Sequence, residues 1–299
     1  MTSIALEDAR AEFADSLRRT AGLRSAALVR AFATVPRESF VGPGPWQIVV
    51  PPDLLTYHDT PDDDPRHLYA NVLVALDASR RLNNGEPAAL AGWLDRLDPA
   101  PGESFLHVGC GVGYYTAIAA EAVSRDGSVL GVEVDAALAE RARRNLAPYA
   151  NATVVCGDGS GLAADAFDAI FVNAGATQLR PGWLDALRCH GRLLVPLTID
   201  IPGMDAGFGQ MLLVVRSSRG YAARFVSPVA VFHCAGARSE QGSKLLEQAF
   251  ARGGEDSVRS LRRDDHAPDA HCWLHRPEFC RSTLGVDECG PAGASGRPA

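Results

Sequence analysis

Apolar and polar residues follow one periodic pattern at the start of the chain and a different one after about residue 88. Across residues 4–34 apolar side chains recur at helical spacing, with Gly22 as a break, which predicts helices. After residue 88, short apolar runs alternate with helical patterns. The predicted strands there are 104–109, 128–135, 152–158, 167–175 and 191–198, and the predicted helices are 88–97, 114–123, 136–146, 183–188 and 243–253.

Strands and helices that alternate at this spacing predict βαβ units and a parallel sheet. Residues 211–232 differ, because two β-type runs flank a Ser-Ser-Arg-Gly turn and so predict a hairpin. We therefore expect an α/β fold. Its predicted sheet is doubly wound, mostly parallel, seven-stranded and Rossmann-like, with an antiparallel hairpin at one edge.

Composition narrows the class of partner. Hydrophobic residues make up 46% of the 299-residue chain and charged residues 22%, which is typical of a soluble globular protein. The net charge of −7 argues against a nucleic-acid partner, whose phosphates require a basic face. We find no apolar run of membrane-spanning length and no signal-like start, so we expect a cytoplasmic protein with no membrane partner.

The seven cysteines are scattered and form no CxxC pair, so the sequence gives no support for a zinc ribbon. Cys272 and Cys280 lie close to His271 and His275, but the order His-Cys-x-x-His-x-x-x-x-Cys matches no common ligand spacing. We therefore predict buried thiols in a reducing cytoplasm and no metal site.

The stretch LHVGCGVGYYTA (106–117) carries the main chemical signal. Gly109, Gly111 and Gly113 stand between a predicted strand and a predicted helix, where a close backbone and free helical N–H groups form a ligand cradle. The dinucleotide pattern G-x-G-x-x-G is not met, because its sixth position is Tyr114. The loop G-x-G-x-G instead indicates S-adenosyl-L-methionine, with S-adenosyl-L-homocysteine as the product.

Polar residues at successive strand ends support this interpretation. Glu133 ends the next strand, where a carboxylate can accept from both ribose hydroxyls, and Asp158 follows the strand after that, where it can accept from the adenine amino group. Asn173 and Ala174 end the fourth strand, at the edge where open α/β sheets bind ligands. The predicted cofactor-binding residues are His107, Gly109, Cys110, Gly111, Gly113, Tyr114, Glu133, Val134, Gly157, Asp158, Gly159, Asn173 and Ala174.

These motifs, in this order, resemble the class I methyltransferase core and, more narrowly, the protein-L-isoaspartate O-methyltransferase family. The resemblance spans roughly residues 30–235, and VPRESFVGP (35–43) also matches a segment of that family. It implies the cofactor roles just described. Along the chain we expect four regions: an N-terminal helical and acceptor-side region (1–85), the methyltransferase core (86–240), a C-terminal appendage (241–285) and a Gly/Pro/Ala-rich tail predicted to be disordered (286–299).

Two positions depart from the family pattern. His107 stands where the family carries an acid, and RLNNGEP (81–87) replaces a Thr-Ile-Ser segment whose hydroxyls lie beside the methyl acceptor. Asn83 and Asn84 are the predicted catalytic residues, because their amides offer N–H donors to a carboxylate.

The first hypothesis is an O-methyltransferase that esterifies an Asp or isoAsp carboxylate of a peptide or protein. A small-molecule O-, N- or S-methyltransferase and a non-catalytic adenosylmethionine-binding protein are the alternatives. A carboxylate acceptor needs no base, whereas another acceptor would need one, for which His58, Asp59 or the run 62–64 is available. Arg259, Arg262 and Arg263 form a further candidate, a clamp for an acidic substrate.

Overall fold

The computed structural model describes residues 3–53, 56–161, 166–276 and 278–286. The chain divides into two compact units, residues 1–157 and 158–299. Most of the tail predicted to be disordered lies outside the described residues, since these end at residue 286. Among the described residues, none of the helices combines the length and the apolarity needed to cross a bilayer.

Unit 1 begins with three helices, α1 (Ser3–Thr20), α2 (Ala26–Thr34) and α3 (Glu38–Val41). The chain turns at Gly22, whose φ of +64° suits glycine, as the predicted helix break requires. Ser25 then caps α2, because its side chain accepts a hydrogen bond from the Leu28 backbone N–H. The apolar faces bury Phe13, Leu17, Leu28 and Phe32.

A small antiparallel sheet follows in the same unit. Its strands are β1 (Gln47–Val49), β2 (His58–Asp59), β3 (Leu73–Asp77) and β4 (Leu82–Asn83), in the order β2-β1-β3-β4. The buried guanidinium of Arg37 donates to the backbone carbonyls of Leu68, Ala70 and Val72 at 2.7, 3.2 and 2.7 Å. This residue therefore holds the chain that leads into β3.

The remainder of unit 1 is regular βα alternation. It comprises α4 (Pro87–Leu97), β5 (Ser104–Val108), α5 (Tyr114–Val123), β6 (Ser128–Glu133), α6 (Ala136–Asn145) and β7 (Ala152–Cys156). Strands β5, β6 and β7 pair in parallel, with Val108 opposite Val132 and Glu133 opposite Cys156. The carboxyl ends of these strands therefore lie at one edge, where parallel sheets bind ligands.

Unit 2 contains seven strands and two α-helices among its described residues. In chain order they are β8 (Phe167–Val172), α7 (Pro181–Asp185), β9 (Leu187–Asp200), β10 (Ala206–Ser217), β11 (Gly220–Phe232), α8 (Glu240–Arg252), β12 (Ser260–Arg262), β13 (Cys272–Leu274) and β14 (Cys280–Ser282). Strand β8 pairs in parallel with β9, and the other neighbours, in the order β9-β10-β11-β12-β14-β13, are antiparallel.

The predicted α/β class, with parallel strands and an antiparallel hairpin, is confirmed. Strand β9 begins four residues before the predicted run, at Leu187 rather than at residue 191. The hairpin β10–β11 does not lie at an edge, because β12, β14 and β13 continue the sheet beyond it. These extra strands have three residues each, too short for a period-two pattern to predict.

Candidate functional site

The glycine loop, residues 109–113, joins β5 to α5 in a conformation that requires glycine. Gly109, Gly111 and Gly113 have φ of +75°, +56° and +90°, in the left-handed region that side chains avoid. The N–H groups of Gly109 and Cys110 donate to the Val132 carbonyl, and the N–H of Gly113 donates back to the Cys110 carbonyl at 2.9 Å. The loop is thus a tight turn that ends at the N-terminus of a buried helix.

Glu133 ties this loop to the end of β6. One carboxylate oxygen accepts from the Gly111 N–H at 2.8 Å, and the other accepts from the Asp135 N–H at 3.0 Å. An ionised carboxylate has about four acceptor positions. Glu133 therefore shapes the loop and keeps acceptor positions free, and its contact with the ribose hydroxyls stays a prediction.

Three further positions in unit 1 fit a nucleoside. A Cβ on Gly111 or on Gly157 would meet no atom within 4 Å, so the backbone is open to close approach at both. Val134, directly after Glu133, is 56% exposed and offers an apolar surface of the kind on which a purine packs. The residues of this unit therefore suit S-adenosylmethionine, a nucleoside without a pyrophosphate.

Unit 2 holds the other predicted cofactor residues. The Asp158 carboxylate accepts from the backbone N–H and the hydroxyl of Ser160, both at 2.8 Å. Gly159 accepts from the Trp183 indole N–H at 2.8 Å. Asn173 and Ala174 follow β8 directly and are half-buried. Their predicted roles stay predictions, and the two residues do stand at a strand's carboxyl end.

His107, predicted to bind the cofactor, is 1% exposed and lies on β5. Its Nδ1 is 2.9 Å from the hydroxyl of Thr116 on α5. Burial lowers the pKa of this imidazole to about 3, so it is neutral at physiological pH. This geometry favours a packing role between strand and helix, and the cofactor contact stays a prediction.

Cys110 and Tyr114 complete the predicted cofactor set. Burial and the nearby Glu133 charge raise the pKa of the Cys110 thiol to about 12, which excludes a nucleophilic role. Tyr114 packs edge-on against Phe40 and Tyr115, with ring centroids 5.4 and 4.9 Å apart. Both tyrosines are buried, to 1% and 4% exposure, and the cofactor contact of Tyr114 stays a prediction.

The acceptor segment, residues 81–87, distinguishes the two predicted catalytic asparagines. Asn83 lies on β4, where its side-chain oxygen accepts from Tyr57 at 2.8 Å and its Nδ2 donates to the Arg81 carbonyl at 2.9 Å. Asn84 is 7% exposed, and its Nδ2 has no hydrogen-bond partner in the described part of the chain. A buried donor without a partner is costly, and the catalytic role of Asn84 stays a prediction.

Two contacts join the acceptor segment to the cofactor side of unit 1. Gly85, next to Asn84, packs so closely that a Cβ there would lie 3.3 Å from the ring of Tyr115, in the first turn of α5. Arg80, just before the segment, forms an ion pair of 2.9 Å with Asp135, two residues after Glu133. The structure thus places the two ends of the stretch that carries Asn83 and Asn84 next to α5 and to the N-terminus of α6.

Sequence reasoning missed several supporting residues. Asp135 caps α6 by accepting from the N–H groups of Ala137 and Leu138, and Asn145 at the end of α6 donates to the Val112 carbonyl at 2.9 Å. An Asp directly before a helical pattern is a capping signal that the sequence did contain. The contact between Asn145 and the glycine loop has no sequence signal, because it joins distant positions.

The structure gives less support to the remaining candidates, which are the possible general bases and the predicted arginine clamp. His58 and Asp59 are exposed on β2, and His67 pairs with Asp62 at 2.7 Å. The predicted arginine clamp is not formed, since Arg262 pairs with Asp264 and Asp269, and Arg263 pairs with Asp185. The Arg259 guanidinium donates to the backbone carbonyls of Asp256 and Val258.

A glycine turn of the form G-x-G-x-G between a parallel strand and a helix, with an acid at the end of the next strand, is the arrangement expected of a class I adenosylmethionine-dependent methyltransferase. Comparison with known proteins supports the same class of enzyme. The family model for protein-L-isoaspartate(D-aspartate) O-methyltransferase (PCMT) matches residues 63–215. The chain belongs to this family, and it is an S-adenosylmethionine-dependent methyltransferase.

Individual relatives extend the match. The protein-L-isoaspartate O-methyltransferase of Methanothermobacter thermautotrophicus is 30% identical over 228 residues, which is 75% of this chain and 93% of the relative. That of Pyrobaculum arsenaticum is 32% identical over 206 residues, 67% of this chain and 87% of the relative.

Solved structures show the same fold. One protein-L-isoaspartate O-methyltransferase gives a TM-score of 0.63 at 21% identity, over 85% of this chain and 72% of that one. A Plasmodium falciparum structure of the same description, in complex with S-adenosyl-L-homocysteine, gives a TM-score of 0.55 at 18% identity, over 75% of this chain and 97% of that one.

Proposed function

We propose that this protein transfers a methyl group from S-adenosylmethionine to an isoaspartyl carboxylate of a peptide or protein. The observation that carries the proposal is the match to relatives described as protein-L-isoaspartate O-methyltransferases over most of their length, 93% in one case. The retained glycine loop and Glu133 support it, because they keep the methyl donor's site while the acceptor side diverges.

Methyl transfer to a carboxylate requires no proton transfer by the acceptor-side residues. The bound sulfonium supplies an activated methyl group, and a carboxylate is already ionised at neutral pH, so no general base is needed. The protein must hold the carboxylate in line and remove water from around it. This mechanism therefore gives no catalytic role to His58 and Asp59, which are exposed on β2.

Asn84 is the residue we assign to the acceptor. Its buried Nδ2 has no hydrogen-bond partner among the described residues, so a carboxylate oxygen placed beside it would satisfy it with a charge-assisted hydrogen bond. Asn83 supports the segment instead, because its amide is already bonded to Tyr57 and Arg81. An amide in place of the family's hydroxyls retains an N–H donor for the same carboxylate.

The test uses two peptides that differ only in an aspartyl or isoaspartyl linkage at one position. With labelled S-adenosylmethionine, we expect transfer to the isoaspartyl peptide and release of the label as methanol in mild base. Transfer to neither peptide, or a methyl group that survives base, would contradict the proposal. The binding of S-adenosylhomocysteine, measured separately by calorimetry, shows that the protein used is competent.

Asn84→Ala tests the assignment of the acceptor residue. A lost hydrogen bond to a charged group is worth about 1.5–3 kcal/mol, so kcat/KM should fall by about 10- to 100-fold. The affinity for S-adenosylhomocysteine should stay the same. The matched control is Asn83→Ala, whose loss should be smaller because Asn83 offers the substrate no free donor. Equal losses in the two variants would remove Asn84 from the site.

A further inference from the structure

Four side chains of the C-terminal segment, residues 258–286, converge on one point in unit 2. The ligand-type atoms of His266, Cys272, His275 and Cys280 all lie within 4.8 Å of one another. We call these four residues the His–Cys cluster. The sequence predicts no metal here, because an order that begins with His271 matches no common ligand spacing. In the structure the residue that joins the group is instead His266.

His271 itself is directed elsewhere. Its Nδ1 is 3.4 Å from the hydroxyl of Thr283. The cluster thus has the order His-x5-Cys-x2-His-x4-Cys, with one ligand before β13, one at its start, one just after its end and one at the start of β14. Pairing of β13 with β14 brings Cys272 and Cys280 to neighbouring strands.

The hydrogen bonds around the cluster prepare two of its atoms for a metal. Nδ1 of His266 lies 3.0 Å from the Asp264 carbonyl oxygen, which can only accept, so this nitrogen carries the proton and Nε2 presents its lone pair. Nε2 is 3.5 Å from Sγ of Cys272. The Asp269 backbone N–H donates to the same sulfur at 3.3 Å. Metal-bound histidines and thiolates are held by outer hydrogen bonds of this kind.

His275 supplies the independent observation. Its Nδ1 is buried, and the structure gives this nitrogen no hydrogen-bond partner among the residues it describes. The His266 and His275 rings contact each other edge to face, with centroids 4.8 Å apart. A buried ring nitrogen without a partner, beside a second imidazole and two thiols, is expected of a metal ligand rather than of a packed side chain.

We propose that the His–Cys cluster is a structural Zn²⁺ site. Two sulfurs and two imidazole nitrogens in tetrahedral arrangement are the donor set that zinc prefers, and four protein ligands leave no open position for catalysis. Zn–S bonds of about 2.3 Å and Zn–N bonds of about 2.0–2.1 Å put the ligand atoms about 3.3–3.8 Å apart. The His266–Cys272 pair already has this spacing.

The charges suit a half-buried site. Two thiolates and two neutral imidazoles cancel the charge of Zn²⁺, so the centre needs no further counter-ion. Cys280 is buried and the other three ligands are half-buried. Nearby, Arg262 pairs with Asp264 and Asp269, at the two ends of the stretch that carries His266, and so fixes this stretch. The Asp269 carboxylate also accepts from the Cys272 thiol at 3.3 Å, a contact that zinc binding would replace.

Zinc would add to the packing that already holds the C-terminal segment, where Val258, Leu261 and Phe279 are buried. Strands β12, β13 and β14 have three residues each, and residues 263–271 between β12 and β13 form no helix or strand. These strands extend the sheet beyond β11, and a metal that joins β13 and β14 would hold this end of the sheet more firmly. Trp273 also anchors this end, since it packs on Phe225 and Phe250 with ring centroids 5.2 and 5.5 Å away.

The first measurement is the metal content of the whole protein, purified without chelator. We expect one zinc per chain by elemental mass spectrometry, and X-ray absorption at the zinc edge should give two sulfur and two nitrogen neighbours. Replacement by Co²⁺ should give the strong visible absorption of a tetrahedral thiolate complex. These measurements use the wild-type protein, so they depend neither on enzymatic activity nor on the folding of any variant.

Two pairs of variants locate the site. His266→Asn should weaken zinc affinity by at least about 100-fold, whereas His271→Asn should leave it unchanged. Cys280→Ser should do the same as His266→Asn, whereas Cys189→Ser, at an exposed cysteine of the same unit, should not. Chelator should expose residues 258–286 to protease in the wild-type protein.

Three results would overturn the proposal. One is wild-type protein with zinc far below one equivalent and no cobalt spectrum. Another is a Cys272–Cys280 disulfide in peptides from protein purified under non-oxidising conditions. The third is equal loss of metal in His266→Asn and His271→Asn. None of them bears on methyl transfer, so this proposal and the proposed function can fail separately.

Discussion

The glycine loop and the His–Cys cluster are two sites built in opposite ways. The loop presents backbone: three glycines at positive φ, at every second position of one short stretch, place N–H groups where Glu133 can accept from one of them. The cluster presents side chains: four residues scattered over the C-terminal segment converge through strand pairing and a loop. A backbone site is damaged by adding atoms, whereas a side-chain site is damaged by removing them.

The largest effect should come from adding one methyl group to the loop. In Gly113→Ala the new Cβ would lie 2.9 Å from Leu146 Cδ1, at a φ of +90°. Left-handed strain of about 1–2 kcal/mol and overpacking of about 1–3 kcal/mol should lower the free energy of unfolding by about 3 kcal/mol.

Gly22→Ala is the matched control for this variant. Gly22 has a φ of +64°, but nothing lies within 4 Å of its added Cβ. Its loss should be only the strain, about 1–2 kcal/mol, in urea denaturation. Equal losses in the two variants would show that Leu146 moves aside and that the loop is not tightly packed.

The second-largest effect should come from removing the Glu133 carboxylate, which organises the loop. Glu133→Ala leaves the Gly111 and Asp135 N–H groups without their acceptor, and it removes the proposed ribose acceptor. We expect affinity for S-adenosylhomocysteine to fall by about 100-fold, the equivalent of about 2.7 kcal/mol. Glu140→Gln, at an exposed glutamate of α6, should leave this affinity unchanged in the same calorimetric titration.

His107 should make stability depend on pH. Its folded pKa of about 3 lies below the ordinary value of 6.5, so only the unfolded chain binds a proton between these values. The unfolded state is therefore favoured as pH falls, and the free energy of unfolding should drop by about 2 kcal/mol between about pH 6.5 and pH 5.

Urea denaturation at several pH values, compared with His107→Asn, isolates this contribution. The variant should lose the drop in that window. A wild-type protein whose stability is flat from about pH 6.5 to pH 5 would mean that the buried ring accepts a proton after local rearrangement.

The smallest expected effect separates the two sites. Removing metal from the His–Cys cluster with a chelator should change the affinity of the glycine loop for S-adenosylhomocysteine by less than about twofold, because the loop depends on contacts within unit 1. Calorimetric titration before and after chelation measures this directly. A large drop in affinity would show that the two sites are coupled.

The helices and parallel strands were predictable because their apolar periods are local. Helix α5, for example, begins and ends at the residues that the pattern predicts, Tyr114 and Val123. The glycine loop and Glu133 were found for the same reason, since each sits beside a strand end. The pattern could not distinguish Asn83 from Asn84, because the difference lies in Tyr57 and Arg81, which take up the polar atoms of Asn83 alone.

The sequence by itself thus determined the α/β class, the methyl donor and the family, because each of these rests on spacing along the chain. Only the tertiary structure decided that His107 faces Thr116, that Arg80 reaches Asp135, and that His266 rather than His271 joins the two cysteines. The physical reason is that these contacts depend on which strands pair and how loops close between them. The spacing of residues along the sequence does not specify which strands pair or how the loops close.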